Sequence, residues 1–346
     1  MILQARHLID PVTTRFRKKI IGDPRLEIYH ETNNLPDHSI FEEIEEGLTS
    51  RPKYLTPKYF YDDRGSKLFE QITKTTEYYP TKTEKSILLN SINELCALNQ
   101  NIDVIVELGS GNSEKTSLIL EEFLSHRQQL HYIPIDISNV VIESSKNLYT
   151  RFPNLRVAGI ISEYERGLFL VPQISKHPKL IIFLGSSIGN FEYSEMIEFL
   201  SMIRELLNED DRLLIGFDMK KDRKVLHAAY NDPKGITRAF NLNILRRINR
   251  ELQAEFDLTK FRHYAFFNEI HSRIEMHLVS KEAQEVHIHG LDLTVRFRAG
   301  ETIHTENSYK FNDQMIENLA SKSNLKILNI WTDKKKYFNL TLFQLA

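Results

Sequence analysis

Between residues 104 and 218 short apolar runs alternate with segments of helical period. Val104–Leu108 is apolar apart from Glu107, Glu114–His126 turns Leu118, Leu120 and Phe123 partly to one side, and His131–Ile137 is a second run ending Pro-Ile-Asp-Ile. Val140–Phe152 reads as helix, Leu155–Ile160 as strand, Leu180–Leu184 as a fully apolar strand, Met196–Leu207 as helix and Leu213–Phe217 as a strand ending at Asp218. This alternation predicts an α/β fold with a doubly wound parallel sheet. Ligands of such sheets sit outside the carboxyl ends of the strands, and Asp136, Asn190 and Asp218 fall there.

On either side the pattern changes. Residues 1–38 are charged, contain Pro11, Pro24 and Pro36, show no clean period and are expected to form an irregular arm. Phe41–Leu48 reads as a short acidic helix, and Ile87–Leu98 as a helix that Thr83 can cap after Pro80. Ile236, Phe240, Ile244, Ile248, Leu252 and Phe256 recur every fourth residue and predict one long amphipathic helix. Strand-like runs follow at Arg273–Ser280, Glu285–His289 and Leu291–Arg298, then a helix at Asp313–Ser321. The last two strands, Leu325–Trp331 and Tyr337–Leu345, are joined too briefly for a parallel crossover and must pair antiparallel. The expected organisation is an α/β domain of residues 76–234 and 311–346, an inserted lobe of 235–310, and an N-terminal stretch, 1–75, that partly joins the lobe.

The 346 residues are 41% hydrophobic and 27% charged, which sets a folded globular chain against disorder. A net charge of −2 gives no basic surface for nucleic acid. The single cysteine, Cys96, excludes an intramolecular disulfide and a multi-cysteine metal site, and its helical context predicts a buried thiol. No apolar run approaches the ~20 residues that span a bilayer. A soluble, cytoplasmic, monomeric protein without nucleic-acid or membrane partners is the expectation.

The segment Glu107-Leu-Gly-Ser-Gly111 follows a strand and opens into a helix at Ser113–Lys115, where backbone N–H groups can meet a ligand. No third glycine follows, so the pyrophosphate fingerprint is absent and a nucleoside such as S-adenosylmethionine suits the turn better than a dinucleotide. Asp136, 25 residues past Gly111, stands where a carboxylate can accept ribose hydroxyls, the plain alternative being a solvated strand end. Glu163-Tyr164 could meet an adenine edge and face, or be surface loop. Lys115 lies in a first helical turn, against the dipole, and hints at a carboxylate nearby. Aromatic clusters at Tyr59-Phe60-Tyr61 and Tyr78-Tyr79 could hold an ammonium, although core packing explains any one of them alone. His287 and His289 share a strand face, but no third ligand is indicated and no metal is expected.

Several ordered blocks carry a resemblance. They are Tyr59-Phe-Tyr-Asp-Asp-Arg-Gly-Ser66, Glu77-Tyr-Tyr-Pro-Thr81, Glu107–Gly111 with Ser113–Thr116, Leu184-Gly-Ser-Ser-Ile-Gly-Asn190, Phe240-Asn-x-Asn243 with Asn249-Arg-Glu-Leu252, Arg273-Ile-Glu-Met276 and Thr305-Glu-x-Ser308. From residue 50 or so onward the chain resembles the histidine Nα-methyltransferases of ergothioneine biosynthesis; the wider family includes a fungal N-methyltransferase of a prenylated tryptophan. The resemblance implies a class I S-adenosylmethionine-dependent methyltransferase fold with a second, α+β substrate lobe. It implies cofactor contacts at Gly109, Lys115 and Asp136. Glu163-Tyr164 stands where the family has an Asp-Phe pair, a departure that keeps acid and ring. Tyr78, Asn190, Tyr230, Glu306 and Ser308 fall on histidine-binding positions, and Met276 and Glu306 on the two associated with the imidazole. These are the residues of the histidine enzymes, which selects L-histidine over tryptophan.

The expected reaction is methyl transfer to the histidine α-amine, repeated to the trimethylated betaine hercynine. An α-amine is protonated near neutrality, so a proton must leave before each of the first two transfers. No dedicated base stands out, and catalysis is expected from proximity and orientation by Tyr61, Tyr78 and Asn190. Methylation of another aromatic amino acid, a nucleoside-binding protein without turnover and an NAD-dependent oxidoreductase are the alternatives.

Overall fold

The computed structural model describes residues 15–32 and 38–346. In chain order the first elements are β1 (Phe16–Ile21), β2 (Asp23–Glu31), α1 (His38–Thr49), β3 (Lys53–Tyr54), α2 (Asp63–Lys74) and α3 (Tyr79–Leu98). The alternating section runs β4 (Val104–Leu108), α4 (Thr116–Ser125), β5 (Leu130–Asp136), α5 (Val140–Arg151), β6 (Leu155–Ile161), α6 (Tyr164–Ile174), β7 (Lys179–Phe183), α7 (Tyr193–Leu206) and β8 (Arg212–Asp218). Next come α8 (Arg223–Tyr230), α9 (Ile236–Leu252), β9 (Phe261–Asn268), β10 (Arg273–Ser280), β11 (Gln284–Ile288), β12 (Leu293–Phe297) and β13 (Thr302–Tyr309). The chain closes with α10 (Asp313–Lys322), β14 (Leu325–Thr332) and β15 (Phe338–Leu345).

Among the described residues nine strands form one sheet in the order β1-β2-β6-β5-β4-β7-β8-β15-β14. Strands β2 and β4 to β8 run parallel, whereas β15 lies antiparallel to both β8 and β14, with Leu325 opposite Leu345. The order of succession reverses beside β4, between β5 and β7, and this switch point opens a crevice at the strand carboxyl ends. Alternate residues of the central strands feed two cores. Val104 and Val106 join α6, α7 and α10 on one face, and Ile105 joins α3 and α4 on the other. Such two-sided burial is why these strands read as unbroken apolar runs.

A second sheet, β3-β13-β10-β9, and the β11–β12 hairpin surround α9. Ile44 and Leu48 of α1, Leu55, Tyr59 and Phe60 pack into the same core as Phe240, Ile244 and Ile248. β3 lies parallel to β13, Lys53 opposite Ile303, so the segment before α2 contributes directly to this sheet.

Several expectations need correction. The arm is not irregular over residues 16–31: β1 and β2 form a hairpin, and β2 extends the large sheet alongside β6. Its period is hidden because Arg17, Lys18 and Lys19 occupy an exposed edge strand, where charge discourages further pairing. Pro11 and Pro36 lie outside the described residues. Thr83 does not cap a helix; α3 already starts at Tyr79, with Pro80 in its first turn, and the Thr83 hydroxyl donates 2.9 Å to the Tyr79 carbonyl. The long helix stops at Leu252 because Gln253 adopts φ +51°. Phe256 is buried beyond it, its backbone clamped by the Asn249 amide through contacts of 2.7 and 2.9 Å. The unexpected α6 contains Gly167 and Pro172, which read as breakers. No helix among the described residues is long and apolar enough to cross a membrane.

Asp62 ties α2 to α9 beside the aromatic segment that precedes it. Its Oδ1 accepts from Gly65 N at 2.8 Å and from Asn243 Nδ2 at 2.8 Å, and Arg250 pairs with Oδ2 at 2.8 Å. Removing a helix cap of this kind costs about 1–2 kcal/mol. Asp62→Ala should lower unfolding stability in denaturant by that amount and Asp62→Asn by less; unchanged midpoints for both would contradict the tie.

Candidate active site

The glycine turn after β4 takes its shape from backbone conformations that favour glycine: φ is +68° at Gly109 and +48° at Gly111. A side chain on Gly111 would point into open space, whereas one on Gly109 would come within 2.9 Å of the Tyr164 hydroxyl. Beneath the turn lies Glu107, buried and hydrogen-bonded by Thr116 of α4 and Tyr132 of β5. Burial pushes its carboxyl up to about 7 despite those two donors. Glu107 thus anchors the turn from below, a role its place inside an apolar strand did not disclose.

Asp136 ends β5 across from the turn. Oδ2 accepts from Gly111 N at 2.8 Å; Oδ1 accepts from Ser138 N at 2.8 Å and Ser138 Oγ at 2.7 Å. A carboxylate offers about four acceptor positions. Oδ2 therefore retains room for one further donor, not the two that a bidentate grip on a diol would take. Glu163 stands at the N-terminus of α6, between the Lys58 ammonium at 2.8 Å and the Arg166 guanidinium at 3.0 Å. Tyr164 packs edge-on against Phe183, centroids 5.3 Å apart. The hinted carboxylate beside Lys115 is part of the protein. It is Glu84 of α3, fully buried, which pairs with Lys115 and accepts from Gly185 N at 2.8 Å.

Gly109, Lys115, Asp136, Glu163 and Tyr164 line one broad cleft of about 1940 Å³, together with Tyr61, Tyr78, Asn190 and Glu306. That exceeds the ~300–1,000 Å³ of a single small-molecule pocket and leaves room for two ligands. A small recess continues from the cleft, sharing Tyr61, Tyr78, Asn190 and Glu306 with it and adding Tyr230, Met276 and Ser308. The twelve residues expected to bind the cofactor or the substrate, or to orient its amine, thus border one continuous space.

Within the recess Tyr61 stacks edge-on with Phe69 and Phe240 at 5.8 and 5.7 Å, and Tyr78 with Tyr230 at 6.4 Å. Burial holds the hydroxyls of Tyr61, Tyr78 and Tyr230 well above the ordinary phenol range, so all three stay neutral. Asn190 closes the short 3₁₀ turn Ser187–Asn190 that follows β7. Glu306 is buried on β13, and among the described residues its carboxylate has no hydrogen-bond partner. Burial pushes it up to about 8, against a smaller opposing pull from Lys310. A buried carboxyl without a partner is costly unless a ligand supplies one.

Behind the recess lies a charged cluster that was not anticipated beyond Asp218 itself. Asp218 accepts from Tyr79 Oη at 2.8 Å and Lys310 Nζ at 2.8 Å, and also pairs with Lys221. Burial opposes its charge, but the two ammonium groups hold its carboxyl below the usual range, while burial pushes Lys221 down to about 8. A sequence signal for Lys310 existed in the alternation Glu306-x-Ser308-x-Lys310, which puts three polar groups on one strand face. His287 and His289 stay apart from the site. Their rings stack at 6.4 Å, but each bonds a different neighbour, Thr294 and Glu255, and no metal-ligand group among the described residues includes them.

A family model described as histidine-specific methyltransferase, SAM-dependent, matches residues 40–345. The histidine N-alpha-methyltransferase of Mycolicibacterium smegmatis is 40% identical over 301 residues, 87% of this chain and 93% of that protein. That of Mycobacterium tuberculosis is 39% identical over 302 residues, again 87% and 93%. The ergothioneine biosynthesis protein 1 of Neurospora crassa is 29% identical across 83% of this chain but only 32% of its own length. A match through both sheets, joined to a glycine turn and a two-compartment cleft, places the chain in the S-adenosylmethionine-dependent histidine-specific methyltransferase family, with its class I α/β fold.

Proposed function

We propose that the protein methylates the α-amine of L-histidine with S-adenosylmethionine as donor, and repeats the transfer to the trimethylated betaine on the route to ergothioneine. The observation that carries this reading is Glu306, a buried carboxyl without a hydrogen-bond partner among the described residues, which lines a recess beside the cofactor cleft. An imidazole N–H is the group that would relieve it. The two mycobacterial relatives, named for this activity, support the same acceptor.

The donor half fits a nucleoside without phosphates. Gly111 leaves its side-chain space open, Asp136 keeps one acceptor position for a ribose hydroxyl, and Tyr164 offers a ring beside the turn. Bound S-adenosylmethionine supplies an electrophilic methyl group on a sulfonium. In the acceptor half Tyr61, Tyr78 and Asn190 would orient the amine at the junction of cleft and recess, and Tyr230, its hydroxyl bound to Ser308, would wall the recess. Because the tyrosine hydroxyls remain neutral, they serve as hydrogen-bond partners and aromatic walls for the amine, not as bases. The amine proton would leave to water in the open cleft before each of the first two transfers, and the rate advantage would come from orientation. Met276, buried beside Glu306 on the paired strand, gives the imidazole an apolar wall.

Two outcomes test these assignments. Glu306→Ala should cut kcat/KM for histidine by roughly 10–100-fold, the loss of a charged hydrogen bond, while affinity for S-adenosylhomocysteine stays nearly constant. Equal losses of both would remove Glu306 from imidazole recognition. Asp136→Ala takes away the ribose partner and the brace on Gly111 together, so calorimetry should show S-adenosylhomocysteine binding weakened by about tenfold or more; undiminished affinity would sink the ribose assignment.

A further inference from the structure

Lys310 is fully buried, and its ammonium meets three acceptors: Asp218 Oδ2 at 2.8 Å, Ser308 Oγ at 2.8 Å and Tyr230 Oη at 3.1 Å. These use all three of its N–H groups. The Tyr230 hydroxyl in turn donates to Ser308 Oγ at 2.7 Å. Ser308 Oγ therefore accepts twice, which fills both its lone pairs, and its own O–H is the only hydrogen-bonding capacity left. Ser308 lines the recess with Glu306, two positions back on the same face of β13.

We propose that Lys310 is a positioning residue: by saturating Ser308 as an acceptor it makes that hydroxyl an obligate donor, and so fixes which way round a neutral imidazole binds. The bare ring nitrogen then accepts from Ser308, and the ring N–H donates to Glu306 in its carboxylate form. This rests on the reading of histidine as the acceptor substrate. The opposite arrangement, a protonated Glu306 donating to the bare nitrogen while the N–H turns to Ser308, needs a lone pair that Lys310 and Tyr230 have taken. Asp218 holds the lysine in place, itself held by Lys221 and Tyr79.

A proton balance follows. The groups facing Glu306 are Tyr61, Tyr78 just before α3, Tyr230 of α8 and Lys310 after β13, and none of the tyrosines ionises near neutrality. With its carboxyl pushed up to about 8, Glu306 is mostly protonated at pH 7 in the free site. Accepting the ring N–H requires the carboxylate, so this proton must pass to solvent as histidine enters.

The test is calorimetric titration of histidine into the protein saturated with S-adenosylhomocysteine, at pH 7, in two buffers of different ionisation enthalpy. The wild type should release close to one proton more per histidine than Glu306→Gln, a comparison that cancels any proton lost from the amine. Equal release overturns the proposal. Lys310→Met frees an acceptor position on Ser308, so the excess should fall toward zero and KM for histidine rise about tenfold or more, with S-adenosylhomocysteine affinity within about threefold as the check on folding. An undiminished excess in a folded Lys310→Met protein overturns the role of Lys310. If that variant does not fold, Tyr230→Phe removes the other donor to Ser308 and should reduce the excess likewise, an unchanged value again overturning it. Failure of histidine to bind the wild type would refute the substrate reading itself, whereas binding and methylation without the excess proton would refute this inference alone.

Discussion

The neutralisation of Asp218 is the interaction on which the arrangement depends. It ends β8 of the large sheet, yet its partners come from Tyr79 at the start of α3, Lys221 ahead of α8 and Lys310 at the end of β13. A carboxylate buried to this degree is tolerable only when paired and hydrogen-bonded. Meeting that need draws three separate segments to one point at the carboxyl edge of the sheet. The backbone reinforces it, since Phe311 N donates 2.8 Å to the Asp218 carbonyl. The same point fixes how the strand carrying Glu306 and Ser308 meets the cleft.

The two halves of the site are built on different logic. Around the glycine turn the buried carboxyl groups are satisfied by the protein itself: Glu107 by Thr116 and Tyr132, Glu84 by Lys115 and Gly185, most of Asp136 by Gly111 and Ser138. This half is preorganised and offers a few open positions along its wall. In the recess Glu306 is left without a hydrogen-bond partner among the described residues, so a ligand with the right donor supplies the partner that the buried carboxyl lacks. Specificity through an unsatisfied buried group is harsher than specificity through shape, because the wrong ligand leaves the penalty in place.

Much of this was legible in the residues. The alternation from Val104 to Asp218 gave the parallel sheet because those strands are buried on both faces, and the brevity of the link before Phe338 required the antiparallel end. The hairpin of residues 16–31 was not legible, since an edge strand bearing Arg17, Lys18 and Lys19 shows no apolar period. β13 escaped for a more instructive reason. Thr305, Glu306, Asn307 and Ser308 are all buried, so the strand that bears the recess is polar where a core strand would be apolar. Lys115 misled in the opposite way: its conflict with the helix dipole did mark a nearby carboxylate, but that carboxylate was Glu84, thirty-one residues upstream and invisible to local pattern.

The most direct measurement is incubation of the protein with S-adenosylmethionine and an equimolar pool of the protein amino acids, followed by mass spectrometry with fragmentation. Histidine should gain one, two and then three methyl groups, all on the α-nitrogen, while the other amino acids stay unmodified. Preferential methylation of a different amino acid, or methyl groups on the imidazole ring, would contradict a site in which Glu306 holds the ring and the tyrosines present the amine.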